Sequence, residues 1–331
     1  MLCPGYRKAR FVELEVQELR RELVGLLEGS ESRLKAAIAS AKPTVRTDEL
    51  KAIAERNRHE YHEHLNNMQA ELKSLFDDLF KNDIRCRWQV LDALDGLIFP
   101  PSTPVKCLVC GHEAPKSTYE TRLSECIFGG GRLERFVCPD CGCVFGPLKM
   151  MAQGDSQLAN EYSQHYHVYS EGDSKWKEIA AFHALNPRKD GRYLNFGAGA
   201  WSKSTIELRA EGWDVYDYEP YAPEDANKWV LRSYDQLRAI KFDGIFSNDV
   251  LEHFKDPVAA LSSMRMILRD GGRMSHCTGC YEYAYEYTRF HYVFYTGDSL
   301  GILADKCGLN AELGGRLKEA EPARICVFTF K

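Results

Sequence analysis

The stretch Tyr193-Leu-Asn-Phe-Gly197-Ala-Gly199-Ala-Trp-Ser constrains this chain more than any other part of it. A short apolar strand runs into a turn with two glycines, and Ser204-Thr-Ile-Glu-Leu then begins a helix. Gly212-Trp-Asp-Val-Tyr-Asp-Tyr-Glu219 reads as a second strand, ending on an acidic residue 20 positions beyond Gly199. Strand, glycine turn, helix and strand make a βαβ unit, which commits the region to a mostly parallel sheet. Glycines at such a turn let the backbone approach a ligand closely, and an acid at this distance accepts hydrogen bonds from ribose hydroxyls. The third glycine of the dinucleotide fingerprint is missing from Gly199-Ala-Trp201-Ser, which leaves room for a nucleoside cofactor without a pyrophosphate.

The downstream order continues the pattern. Lys241-Phe-Asp-Gly-Ile-Phe-Ser-Asn248 reads as a buried strand, and Asp249-Val-Leu-Glu-His253-Phe-Lys-Asp256-Pro257 as a polar turn leading to a helix start. Leu261 through Leu268 continue that helix, and Arg269-Asp-Gly-Gly-Arg-Met leads into another strand. From about Trp176 to the end, β-type apolar runs alternate with helical stretches, as expected of a parallel α/β domain.

These segments resemble a class I S-adenosylmethionine-dependent methyltransferase over roughly Trp176–Lys331. Asp-Val-Leu-Glu-His with the following Asp-Pro, then Leu-Arg-Asp-Gly-Gly, is similar to that family's passage from its fourth strand to its fifth. Phe290–Leu300 resembles the segment before a late helix, and Arg324–Phe330 the closing strands. The resemblance implies a Rossmann-like domain binding S-adenosylmethionine. Gly197 and Gly199 would approach the methionine part, Glu219 would hold the ribose, and Asn248 would face the methionine end, with Leu251 and His253 just beyond. Where the family usually carries an acid this chain has Asn195, which keeps the hydrogen-bonding capacity but not the charge. Tyr166, Tyr169 and Trp201 are aromatic faces suited to a sulfonium cation, and core packing is an equal alternative for each.

Cysteine is the compositional outlier, with 12 in 331 residues. In a reducing cytoplasm, the expected location, thiols serve as metal ligands or buried small residues rather than disulfides. Cys107-Leu-Val-Cys110 and Cys138-Pro-Asp-Cys141 are each followed by a glycine, Gly111 and Gly142, that lets the backbone turn its N–H groups toward sulfur. Four such thiolates match a closed, structural zinc site. Together with a Cys-Gly-Cys-Val-Phe segment and the Tyr162–Tyr169 connector, they resemble zinc-bearing methyltransferases acting on sugars and sugar nucleotides. Cys277-Thr-Gly-Cys280 forms a third pair, read either as buried thiols or as part of a second metal site with His276 or His291.

The N-terminal residues carry periodicity rather than chemistry. Val12, Val16, Leu19, Leu23 and Leu26 form one 4-3 stripe, and Tyr61, Leu65, Met68, Leu72, Leu75 and Leu79 another. A helical hairpin and a self-associating coiled coil both satisfy these stripes. Asp48 is the expected cap of the second helix, which is predicted to reach about Asp78. No run approaches the roughly 20 apolar residues of a membrane helix, and a formal charge of −5 argues against broad nucleic-acid binding.

The expected organisation is a helical, coiled-coil-like region over 1–99, a small zinc-binding domain over 100–150 and an α/β methyltransferase domain over 151–331. Methyl transfer is an in-line displacement that rewards positioning, and a hydroxyl acceptor benefits from a base, for which His253 and His291 are the candidates. The aromatic run Tyr281, Tyr283, Tyr285, Tyr287, Phe290, Tyr292, Phe294 and Tyr295 alternates at first and suggests a strand or insert packed against the sheet, or else a stacking lid over a sugar or aromatic acceptor. O-methylation of a carbohydrate is the expected function. Another small-molecule acceptor, a decayed fold serving as an interaction protein, and RNA methylation are the alternatives.

Overall fold

The computed structural model describes residues 32, 36, 45–169, 172–199, 202–220, 222 and 228–331. The first stripe, Val12–Leu26, and Trp201 lie outside the described residues. The chain divides into two compact units. One comprises the described residues of Met1–Cys86 and Gln153–Ser170, the other Arg87–Ala152 and Glu171–Lys331.

Helix α1 runs unbroken over Val45–Ile98, 54 residues. It is longer than the spacing predicted, and Asp48 lies inside it rather than at its cap. The reason is local: no proline or glycine interrupts 45–95, and Pro100-Pro101 supplies the stop. Its second stripe faces solvent, with Leu75 61% and Leu79 64% exposed. In the same unit, helix α2 (Asp155–Val168) brings His167 to 4.5 Å from the Phe80 ring, and Tyr162 stacks on Tyr166 at 6.2 Å.

The second unit holds a seven-stranded sheet. Its strands are β6 (Arg192–Phe196), β7 (Asp214–Tyr218), β8 (Val230–Leu231), β9 (Phe242–Asn248), β10 (Leu268–Thr278), β12 (Leu309–Lys318) and β13 (Glu321–Phe330). Their order is β12-β13-β10-β9-β6-β7-β8. Pairs β10–β9, β9–β6, β6–β7 and β7–β8 are parallel; β10–β13 and β12–β13 are antiparallel. Helices α3 (Lys175–Ala184), α4 (Lys203–Ala210), α5 (Pro257–Met266) and α6 (Ser299–Lys306) connect or flank these strands. Cap chemistry starts α4 and α5: Ser202 Oγ accepts from the Thr205 N–H, and Asp256 accepts from the Ala259 N–H at 2.9 Å with Pro257 in the first turn. Phe182 of α3 anchors the core, its ring 5.0–5.5 Å from those of Tyr193, Trp213 and Phe246. No described helix is long and apolar enough to cross a membrane.

Two smaller sheets complete this unit. Strands β1 (Pro104–Lys106) and β2 (Glu113–Pro115) form a hairpin around the first cysteine pair. Strands β3 (Glu120–Glu125), β4 (Arg132–Val137), β5 (Val144–Phe145) and β11 (Val293–Phe294) form an antiparallel sheet in the order β11-β5-β4-β3. Strand β11 comes from the aromatic segment after β10, so that segment is stitched to the cysteine-bearing hairpins. The alternating tyrosines 281–287 form turns rather than a strand. Their surroundings explain it: Arg135 Nη1 donates to the Glu286 carbonyl at 2.7 Å and its Nη2 to the Thr288 carbonyl at 2.8 Å. Carbonyls engaged by side chains leave no regular ladder to build.

Candidate active site and metal sites

The sheet order reverses between β6 and β9, and ligands of open α/β sheets bind at that reversal, beyond the carboxyl ends of the strands. Gly197, Glu219 and Asn248 stand at or next to the carboxyl ends of β6, β7 and β9. Gly197 and Gly199 have φ of +74° and +68°, a region open to glycine without strain. A Cβ on Gly197 would lie 2.8 Å from a Val250 methyl carbon, whereas one on Gly199 would meet open space. The Gly199 N–H donates to Glu219 Oε2 at 3.1 Å, so the acid at the end of the second strand folds onto the glycine turn. Asn248 Nδ2 donates to Asp249 Oδ2 at 2.9 Å, while its own Oδ1 is buried without a partner. Asp249 has φ of +50°, an uncommon conformation for a non-glycine residue that clusters at functional turns. Leu251 is buried, and its carbonyl accepts from Tyr295 Oη at 2.8 Å. Tyr166 belongs to the other unit.

Asn195 is buried, and its surroundings hold a residue that the spacing of motifs did not flag. Its Nδ2 donates to Glu178 Oε2 at 3.0 Å, and Ser202 Oγ donates to the same oxygen at 2.9 Å. Ser204 Oγ also donates to it, and Ser174 Oγ donates to Oε1 at 2.8 Å. The carboxylate absent at position 195 is therefore present next door, brought from α3. Nothing in the local pattern around Glu178 signals this, because the partners come from three segments.

His253 and His291 come together, their rings 5.0 Å apart and nearly perpendicular. Both are buried. Burial lowers the His253 pKa to about 4, against hydrogen bonds with Phe290 and Asp249 backbone. Burial, and then His253 itself, push His291 well below the ordinary histidine range. His291 Nδ1 lies 3.0 Å from the Tyr285 carbonyl and 3.4 Å from Cys280 Sγ. His276 is elsewhere in the core, its Nδ1 2.7 Å from Ser247 Oγ, and Cys277 is packed in the main apolar cluster. The third cysteine pair is thus split between two environments.

The sulfurs of Cys107, Cys110, Cys138 and Cys141 all lie within 4.8 Å of one another. Two separations are 3.7 Å (Cys107–Cys141) and 3.4 Å (Cys110–Cys138). A tetrahedral zinc with Zn–S near 2.3 Å sets sulfurs about 3.8 Å apart, so the donor set fits that ion. Gly111 and Gly142 have φ of +87° and +72°, and the His112 N–H points at Cys110 Sγ at 3.4 Å. The pairs are tied to the sheet domain. Lys306 Nζ donates to the Val109 and Cys110 carbonyls at 2.7 Å, and the Asp298 N–H donates to the Cys141 carbonyl at 2.9 Å.

Sheet order, glycine turn and acid together form the kind of edge at which open α/β sheets bind nucleosides. Residues 157–312 match a family model described as a methyltransferase domain. Over that span the chain carries a methyltransferase domain. Among solved structures, a Burkholderia thailandensis 1,6-didemethyltoxoflavin-N1-methyltransferase with bound S-adenosylhomocysteine is 16% identical, with a TM-score of 0.43 over 60% of this chain and 96% of that one. A possible histamine N-methyltransferase from Thermotoga maritima is 21% identical, with a TM-score of 0.36 over 53% and 97%. Mitomycin 7-O-methyltransferase is 15% identical, with a TM-score of 0.39 over 56% and 60%. No curated protein matches the chain.

Proposed function

We propose that this methyltransferase transfers a methyl group to a hydroxyl of a carbohydrate, whether a free sugar, a sugar nucleotide or a polysaccharide. The observation that carries the cofactor part is the Gly199–Glu219 hydrogen bond at 3.1 Å, which sets a carboxylate beside a glycine turn at the reversal of the sheet. S-adenosylmethionine supplies an electrophilic methyl on a cationic sulfur. Glu219 holds the ribose, Gly197 and Gly199 admit the methionine part, and Asn248 offers its unpartnered Oδ1 at the methionine end. Leu251, buried just beyond β9, completes the proposed cofactor contacts. The Glu178 carboxylate beside Asn195 places negative charge near this turn, which suits a cationic amino acid moiety.

The acceptor part is supported by the segment after β10. Tyr283, Tyr285 and Tyr287 are half-buried there, and aromatic faces stack on sugar rings. His253 and His291 are the base candidates because both stand beyond the carboxyl ends of β9 and β10. A structural zinc at Cys107, Cys110, Cys138 and Cys141 holds β5, and through it β11, against this segment. The exposed stripe of α1 offers a seam for a homo-oligomer, and the free thiols suit a cytoplasmic setting.

Incubation with methyl-labelled S-adenosylmethionine and separate panels of sugar nucleotides, phenols and amines tests this reading. Label should appear in a sugar hydroxyl and leave the phenols and amines unmodified. Label confined to a non-sugar acceptor would replace the carbohydrate with another small molecule.

A further inference from the structure

We infer that Glu252, Cys280 and His291 form a second divalent-metal site, with zinc the ion that fits best. These residues come from three separate stretches: the turn after β9, the turn after β10, and the entry to β11. One ligating atom from each lies within 4.8 Å of the other two. All three residues are buried, Glu252 and Cys280 completely.

Glu252 carries the argument. Thr278 Oγ1 donates to its Oε1, while Oε2 is buried with no hydrogen-bond partner. No described lysine or arginine forms an ion pair with it, and a buried carboxylate ordinarily requires a compensating partner. The unpartnered oxygen shares its chamber with a thiol and an imidazole. Carboxylate, thiolate and imidazole are together the ligand types that bind zinc, a borderline ion at about 2.0–2.3 Å from each. Such an ion sets its ligand atoms about 3–4 Å apart, so the cluster needs only a small inward closing.

The surroundings are arranged as support for a metal shell. Thr278 orients the carboxylate, and Cys280 Sγ lies 3.4 Å from His291 Nδ1. Three protein ligands leave a fourth coordination position. The site also accounts for half of the third cysteine pair: Cys280 faces the cluster, while Cys277 packs in the apolar core. With His291 engaged by the ion, His253 is the imidazole left for acceptor chemistry. The inference stands apart from the four-cysteine site, since the two share no ligand.

Metal content of the full chain, purified without chelators, decides the matter. Wild type should hold two zinc ions per chain. E252Q and C280S should each hold one, and the double variant C138S/C141S should hold one as well. Cobalt titration of the wild type guards against variants that fail to fold: two uptake steps are expected, one with the charge-transfer intensity of four thiolates and one with that of a single thiolate. One ion per chain, lost in C138S/C141S and kept in E252Q, overturns the proposal, as do two ions that survive in both E252Q and C280S. One ion kept in C138S/C141S and lost in E252Q supports it while removing the four-cysteine reading.

Discussion

Asp217 shows how single residues near the cofactor edge trade stability for placement. It is buried in β7, where Thr205 Oγ1 donates to Oδ2 at 3.0 Å and Arg209 Nη1 at 3.2 Å, while Oδ1 has no partner. Burial raises its pKa to about 6, and the Arg209 charge only partly offsets that. A carboxyl whose folded pKa lies above its unfolded value near 3.8 binds its proton more tightly in the folded state. Its contribution to stability is therefore greatest below pH 4 and is lost as pH rises through about 6. Denaturant unfolding of wild type and D217N should show the wild type losing roughly 3 kcal/mol relative to the variant between pH 4 and pH 7. A pH-independent difference would contradict this account. Legibility divides at the same scale. The placement of Gly197, Gly199 and Glu219 beyond the ends of β6 and β7 was readable because βαβ geometry ties it to spacing along the chain. Glu178 and Glu252 were not, because each acquires its partners from segments far apart in sequence.

The secondary elements repeat that division. Strands β6, β7 and β9 fall where apolar runs bounded by turn residues place them, since a buried parallel strand is written locally. The tyrosine alternation at 281–287 left strand and insert both open because period two is also satisfied by turns whose rings pack individually, and the segment forms turns. Helix α1 kept its 4-3 stripe but not its predicted end, because seam periodicity says where a face lies and only breakers say where a helix stops. The stripe bears on assembly. A seam of Tyr61, Met68, Leu72, Leu75 and Leu79 open to solvent is the surface a coiled-coil partner covers. Light scattering should find the full chain as a dimer or larger at tens of micromolar, and L75E with L79E should reduce it to a monomer whose helical signal from the sheet domain is unchanged. A wild-type monomer would remove the self-association reading.

At the scale of the whole molecule, the cysteine hairpins and the methyltransferase sheet are joined by backbone. Strand β11 leaves the region beyond β10, pairs with β5 and returns to α6, whose Lys306 donates to the first cysteine knuckle. Zinc-type clustering of Cys107, Cys110, Cys138 and Cys141 was legible from two Cys-x-x-Cys pairs, since ligand spacing is a local property. The coupling of that cluster to the His253–His291 region was not, because it depends on a two-residue strand with no pattern of its own. The central claim remains the cofactor edge formed by β6, β7 and β9. Isothermal titration of the full chain with S-adenosylhomocysteine tests it most directly. The account predicts saturable binding at a single site, weakened about tenfold in E219A by loss of the ribose hydrogen bonds. No binding at millimolar ligand, or binding unaffected by E219A, would contradict it.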